Sequence, residues 1–245
     1  MENHQLYPLE VNSHGEPFLR LKAHPNIILT PPRLTDASAL MEVLNNESVC
    51  RWLSNPPYPY LQEHAGSWLP HIKSLSDKIL EELDSARDEA SLRIVDDCPV
   101  RYIREVKEDG TDVFIGDVAI IRCPLMDLTS SSDISQGEKD RLLAENVSRP
   151  AGDPKIVWTI GNYLSSSHHG RGIMTDVYAT LLESWAIPRM GVRRMIGTAF
   201  EGNQGSVRVF EKNGFVMRKT IPNYLEAKGV MRSLHVLDWE FSDDE

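Results

Sequence analysis

The sequence predicts an α/β (α+β) fold, a sheet with helices on its faces, and three features carry that expectation. The C-terminal third alternates helix, strand, helix and strand signals in short segments. Ahead of it, one long amphipathic helix gives way to apolar, β-branched runs. The composition, 41% hydrophobic and 25% charged, is that of an ordinary globular chain and excludes a mainly disordered or collagen-like protein. A chain of 245 residues buries about 70–75% of its unfolded surface, so this fold needs no disulfide or metal staple.

Taken in order, residues 1–25 are polar and broken by Pro8, Gly15, Pro17 and Pro25. They are expected to form an irregular arm with at most a short strand near 18–21. A single domain is expected over 26–241, followed by an acidic tail at 242–245. Residues 26–30 are a short apolar run that Pro31 and Pro32 stop. Thr35 or Asp36 is placed to cap a helix whose Leu40, Val43 and Leu44 fall at helical spacing. A second short helix is expected over 49–53, ended by Asn55, Pro56 and Pro57, with a turn at 58–60. From 61 to about 90, Leu69, Ile72, Leu75, Ile79, Leu83 and Ala86 recur every three or four residues. That spacing predicts a long amphipathic helix, with Pro70 as a point of bending.

Strands are expected over 100–106 and 114–122, joined by a turn around Gly110. Residues 124–154 are poor in apolar side chains and read as an insertion with one short helix around 138–145. Then come a strand over 155–164, a helix over 172–188, a strand over 194–199 and a helix over 203–213. Strands over 215–221 and 233–241 complete the set.

Charge narrows the partners. Asp and Glu number 36 against 26 Lys and Arg, a net charge of −10. Such a chain repels phosphate backbones, so no nucleic-acid partner is expected. Cys50, Cys98 and Cys123 lie far apart with no paired spacing, which supports neither a disulfide framework nor a metal site. The N-terminus lacks a basic flank and an apolar core, and no run approaches about 18 apolar residues. A soluble, cytoplasmic protein without a membrane partner is the expectation.

The chemistry is concentrated in the segment LSSSHHGRGIM, residues 164–174. A strand ends there, a glycine-bearing turn follows, and a helix begins near Gly172. The first N–H groups of a helix have no intrahelical partner, and the helix dipole adds positive potential around them. Glycines let an anion approach the main chain. A phosphate or pyrophosphate cradle is one reading, and a plain strand–helix turn is the other. The segment is neither a Walker loop nor the dinucleotide GxGxxG pattern, because no GK[ST] follows and Asp176 occupies no glycine position.

Farther on, Asn203 and Ser206 form an NxxS pair, followed by Glu211, Lys212, Asn213, Gly214 and Phe215. With HHGRG ahead of it, this arrangement resembles the GNAT acetyltransferase superfamily, and most closely its RimJ/RimL-like N-acetyltransferase branch. Early residues agree: Leu29 and Thr30, then Arg33–Asp36, Ile115 and Gly116 in the third strand, and Ile160–Leu164 in the fourth. The resemblance spans about 27–241, and it implies a mixed, mostly antiparallel sheet of about six to seven strands, splayed between the fourth and fifth.

It further implies acetyl-CoA as cosubstrate, in the opening between those two strands. Backbone amides around Gly170, Arg171, Gly172, Ile173 and Met174 would hold the pyrophosphate. Asn203 would contact the pantetheine arm, and Ser206 would sit near the thiol. The acetyl group would pass directly to an amine-bearing acceptor, either a small molecule or a protein N-terminus. Two positions depart from the family pattern. Ser167 stands where Gln or Arg is usual, and Thr159 stands where the branch often carries a Glu base.

Each candidate has a structural alternative. Asn203 is a good helix cap and Ser206 a good first-turn residue. His168 and His169 read as turn surface, and Phe210 and Phe215 as core. Arg171 either pairs with a phosphate or faces solvent. Glu201 is a base candidate near the expected amine, and Asp117 a weaker one. Tyr224, in the connection between the last strands, is a second candidate donor to the leaving thiolate. The net charge favours cationic acceptors on encounter. Beside the enzyme stands a non-catalytic acyl-CoA-binding or partner-binding protein on the same fold. A third reading is a different nucleotide-binding α/β protein.

Overall fold

The structure, a computed structural model, describes residues 3–125, 128 and 134–242. Of the expected acidic tail, 243–245 lie outside the described residues, as do 126–127 and 129–133 of the expected insertion. A single nine-stranded sheet runs through the molecule in the order β1-β2-β3-β4-β5-β6-β7-β9-β8. Its strands are β1 (Glu10–Val11), β2 (Pro17–Arg20), β3 (Ile27–Thr30), β4 (Tyr102–Val106) and β5 (Asp112–Arg122), then β6 (Val157–Leu164), β7 (Arg194–Phe200), β8 (Val216–Ala227) and β9 (Val230–Glu240). Neighbours pair antiparallel except β6 and β7, which run parallel.

The sheet is mixed and mostly antiparallel as expected, but it has nine strands rather than six or seven. The two additional strands are in the arm. Phe18 and Leu19 are buried, and Leu19 pairs with Leu29 of β3. An apolar residue beside an unpaired strand edge gains both burial and ladder hydrogen bonds, so the arm is less irregular than its prolines suggest.

Helices cover the faces. They are α1 (Ala37–Leu44), α2 (Glu47–Cys50), α3 (Gln62–Ser85), α4 (Gln136–Ser148), α5 (Ile173–Leu181), α6 (Ile187–Met190) and α7 (Gln204–Lys212), with a π-turn at Leu182–Ala186 joining α5 to α6. α3 carries Pro70 inside it and buries Leu69, Ile72, Ile79 and Leu83, the apolar stripe of the sequence. It stops at Ser85, short of 90, where the apolar period has run out.

Asp36 does not cap α1. Its carboxylate accepts from the Arg33 amide at 2.9 Å and from the buried Arg104 guanidinium at 2.7 Å. A buried arginine needs a counter-charge more than a helix end needs a cap. In α4, Asn146 is buried and stands in for a strand at the start of β6. Its Oδ1 accepts from the Val157 amide at 2.9 Å, and its Nδ2 donates to the Val157 carbonyl at 2.9 Å.

The main core lies between α5, α7 and the sheet. Phe210 and Phe215 are buried there, as the sequence suggests. Tyr178 meets Phe210 edge-on with ring centroids 5.5 Å apart, and Phe210 meets Phe215 at 4.9 Å. Gly197 makes that packing possible, since a Cβ there would stand 2.5 Å from the Phe210 ring. Cys50, Cys98 and Cys123 are free and buried. Among the described residues no helix is long and apolar enough to cross a membrane.

One half-buried acid works against the fold at neutral pH. Burial pushes the Asp97 carboxyl up to about 6, against the opposing pull of the Cys98 amide and Arg101. A carboxyl raised above its unfolded value of 3.8 contributes stability while protonated, at low pH. That contribution is lost as pH rises through about 6. Asp97→Asn keeps an acceptor for the Cys98 amide, so urea unfolding should show it about 1–3 kcal/mol more stable than wild type near pH 8. The difference should vanish near pH 4; a gain independent of pH would mean that the charge is not its cause.

Candidate functional site

The site is built on a fork in the sheet. β6 and β7 pair only through Val157 with Arg194, Trp158 with Met195 and Thr159 with Ile196. Beyond that point they part. The Thr159 hydroxyl donates to the Ile196 carbonyl at 2.7 Å and is the side-chain tie at the branch. On its other edge β6 is fully registered with β5, from Leu164 opposite Gly116 to Trp158 opposite Arg122. The Cys123 amide donates to the Val157 carbonyl, and the Ser165 amide to the Ile115 carbonyl. Strand alternation therefore turns the main-chain groups of Ile160 and Asn162 away from β5, into the fork.

A cavity of about 1510 Å³ fills the opening. Gly170, Gly172, Ile173, Met174, Asn203, Ser206 and Tyr224 all line it, so residues spread over some fifty positions of sequence converge on one space. The Arg171 side chain and Glu201 do not line it. Glu201 is exposed, and the Arg171 guanidinium lies 3.9 Å from Glu105.

Local sequence explains the cradle. Gly170 and Gly172 have φ of +74° and +78°, where a side chain is strained. Gly172 is the N-cap of α5 and offers no side-chain cap, so the first-turn amides stay available to a ligand. The loop is pinned by its own polar residues. The His169 Nε2 lies 2.8 Å from the Leu164 carbonyl, and Ser167 Oγ lies 2.9 Å from His168 Nδ1. His168 is not turn surface, because its ring is buried with Nε2 3.4 Å from Glu105. Ser167, where the family pattern has Gln or Arg, thus serves the loop.

Across the fork, Asn203 caps α7 by accepting from the Ser206 amide at 3.2 Å. That cap uses the Ser206 main chain and leaves its hydroxyl to the cavity wall. Asp117 is forked by Arg101 at 2.8 and 2.9 Å, both almost wholly buried, which removes it as a free base.

Electrostatically the cavity differs from the chain around it. Arg101, Arg208 and Lys212 line it, whereas Asp117 is its only carboxylate among the described residues. A second wall, which sequence reasoning missed, comes from Trp52, Leu53, Pro56, Pro57, Tyr60 and Trp68. The Tyr60 hydroxyl is buried with no partner, and burial raises its pKa. Lys228, at the tip of the β8–β9 hairpin, holds this wall in place by donating to the Leu53 and Pro56 carbonyls, each at 2.9 Å. The available signal was a pair of aromatics flanking a proline-rich turn, and nothing in it points to the fork.

Residues 135–216 match the family model described as Acetyltransferase (GNAT) domain. That span contains both arms of the fork, the cradle and α7. A curated relative, the Probable N-acetyltransferase YjcK of Bacillus subtilis (strain 168), is 33% identical over 86 residues. The match covers 35% of this chain and 47% of that protein, so the chain spans about half the length of this relative. Among solved structures, the ribosomal-protein-S5-alanine acetyltransferase from Vibrio fischeri superposes with a TM-score of 0.58 at 14% identity, covering 93% of this chain and 98% of that one. RimJ of Mycobacterium smegmatis, in complex with CoA-disulfide, gives 0.52 at 20% identity, over 92% and 86% of the two chains.

Proposed function

We propose that this chain, a GNAT protein of RimJ/RimL-like fold, is an acetyl-CoA-dependent N-acetyltransferase that moves an acetyl group directly to a primary amine. The observation that carries the reading is the uncapped, glycine-bearing start of α5 at the mouth of a fork whose walls hold more cations than carboxylates. A polyanionic nucleotide with a long, thin arm suits that shape and sign of charge. The CoA complex of the mycobacterial relative supports the same ligand class.

Acetyl-CoA, when bound, supplies the activated acyl group and a thiolate leaving group. The amides of Gly170, Arg171, Gly172, Ile173 and Met174 hold the pyrophosphate, with the Arg171 side chain turned aside to Glu105. Asn203 contacts the pantetheine arm. The main-chain N–H groups of Ile160 and Asn162, facing the fork, are the donors available to the acyl oxygen as it gains charge. Ser206 and Tyr224, both in the cavity wall, are the hydroxyls placed to protonate the thiolate.

Among the described residues the cavity offers no free carboxylate base, and its imidazoles are those of His64, His71, His168 and His169. Thr159 stands at the branch with its hydroxyl committed to Ile196, Asp117 is taken by Arg101, and Glu201 is outside the cavity. An α-amine, with a pKa near 8, is neutral in about one molecule in ten at pH 7, whereas a lysine near 10.4 is neutral in fewer than about one in a thousand. The acceptor is therefore a weakly basic primary amine such as an α-amine. Its body is apolar or aromatic, to suit Trp52, Tyr60 and Trp68. The attraction that a net charge of −10 offers to cationic acceptors does not extend to this cavity, whose one carboxylate among the described residues, Asp117, is neutralised by Arg101. The non-catalytic reading keeps one supporting observation, the absence of a carboxylate at Thr159; acetyl transfer to an α-amine above the protein-free rate rejects it.

Gly172→Asp puts a carboxylate and a strained Cβ into the cradle and should weaken acetyl-CoA binding by about tenfold or more in calorimetry. Unchanged affinity in the folded variant removes the cradle from this turn. Ser206→Ala retains the amide that caps α7, so stability should hold while kcat falls by about 10²-fold if the hydroxyl is the proton donor. An unaltered kcat would leave Tyr224 as the donor.

A further inference from the structure

Behind the cradle lies a contact that the acetyl-transfer reading does not use. Asp176, on the first turn of α5, is buried on a helix face otherwise made of Ile173, Met174, Val177 and Tyr178. Its carboxylate is fully engaged. Oδ2 accepts from the Ala23 amide at 2.9 Å and faces the His24 Nδ1 at 2.8 Å, while Oδ1 lies 3.4 Å from the Thr180 hydroxyl. The other ring nitrogen of His24, Nε2, lies 3.1 Å from the main-chain carbonyl of Arg171, in the middle of the cradle. The imidazole thus spans from a carboxylate on α5 to the carbonyl between the two cradle glycines.

Both groups that His24 faces are acceptors. A neutral imidazole has one N–H and one lone pair, so it satisfies one of them and opposes its lone pair to the other. Only the imidazolium donates to both. Its charge also offsets Asp176, a carboxylate one helical turn from the amides that would hold a pyrophosphate. We propose that His24 is a positioning residue that holds the Gly170–Gly172 cradle in its anion-binding shape in its protonated form, coupling cofactor affinity to pH through the N-terminal arm. This rests on the CoA reading above.

Among the described residues no other charged group pairs with the ring. From the arm, the Lys22 ammonium is paired with Glu183 on the π-turn. From the loop, the Arg171 guanidinium points to Glu105 of β4, which also meets His168 and Lys107. From α5, Asp176 is the facing acid. Deprotonating the ring leaves one N–H for two acceptors, so the bridge keeps its Asp176 end and loses its Arg171 end.

The test is calorimetric titration of acetyl-CoA into wild type, His24→Ala and His24→Gln from about pH 6 to about pH 8.5, with thermal unfolding of each. The 3′-phosphate of the ligand titrates alike in all three, so the ratio of variant to wild-type Kd isolates His24. One charge-assisted hydrogen bond corresponds to about tenfold, so the His24→Ala ratio should be about 10 near pH 6 and approach 1 near pH 8.5. The His24→Gln ratio should follow it, since the amide is neutral throughout. A ratio that stays large at every pH, with a matching loss of Tm, would make His24 a structural staple only. A ratio of 1 throughout, with wild type binding normally, would also overturn the proposal. Wild type failing to bind acetyl-CoA at any pH would instead reject the CoA reading on which it stands.

Discussion

Three residues of parallel pairing between β6 and β7 set the conditions for everything else in this protein. Each strand is tied along its outer edge, β6 to β5 and β7 to β9, in seven-residue registers. Neither can swing to close the gap without breaking those ladders. Asn146 fixes the start of β6, and the Thr159 hydroxyl closes the branch point. Within the divergence, Asn162 reaches the Tyr178 hydroxyl of α5 at 2.6 Å, and Tyr178 packs edge-on against Phe210 of α7. The opening is held by packing and hydrogen bonds on its flanks, which is why a cavity persists between two neighbouring strands.

Charge is distributed to match. The chain carries ten more acidic than basic residues, yet the cavity concentrates Arg101, Arg208 and Lys212. Buried acids are each met by a cation or an imidazole: Asp36 by Arg104, Asp117 by Arg101, Asp176 by His24. Such pairs add little net stability over an apolar replacement, but losing one partner strands a buried charge at a cost of about 3–5 kcal/mol. They therefore fix geometry. The first ties α1 to the sheet, the second makes the floor beside the apolar wall, and the third ties the arm to the cradle.

What the sequence made legible follows from local physics. The 3.6-residue period of α3, the strand–turn–helix around Gly172 and the Asn203 cap depend on near neighbours, and each element lies within a few residues of its expected bounds. Departures come from distant partners. Asp36 is drawn from capping to Arg104, 68 positions away, and His168 is turned inward by Glu105, 63 positions away. The arm becomes sheet because an edge was available to it. Asp176 did leave a trace, since an acid amid apolar helix positions demands a partner. Nothing local says that the partner is His24, 152 residues upstream. The apolar wall was hidden for the same reason, being assembled from a proline-rich turn and α3 by tertiary packing alone.

The claim that the fork with its glycine cradle is an acyl-CoA site is tested most directly by calorimetric titration of the purified protein with acetyl-CoA, with CoA and ATP as comparison ligands. Saturable, one-site binding of acetyl-CoA and CoA in the micromolar range, with ATP silent, is the expected result. Absence of binding, or equal binding of ATP, would contradict it.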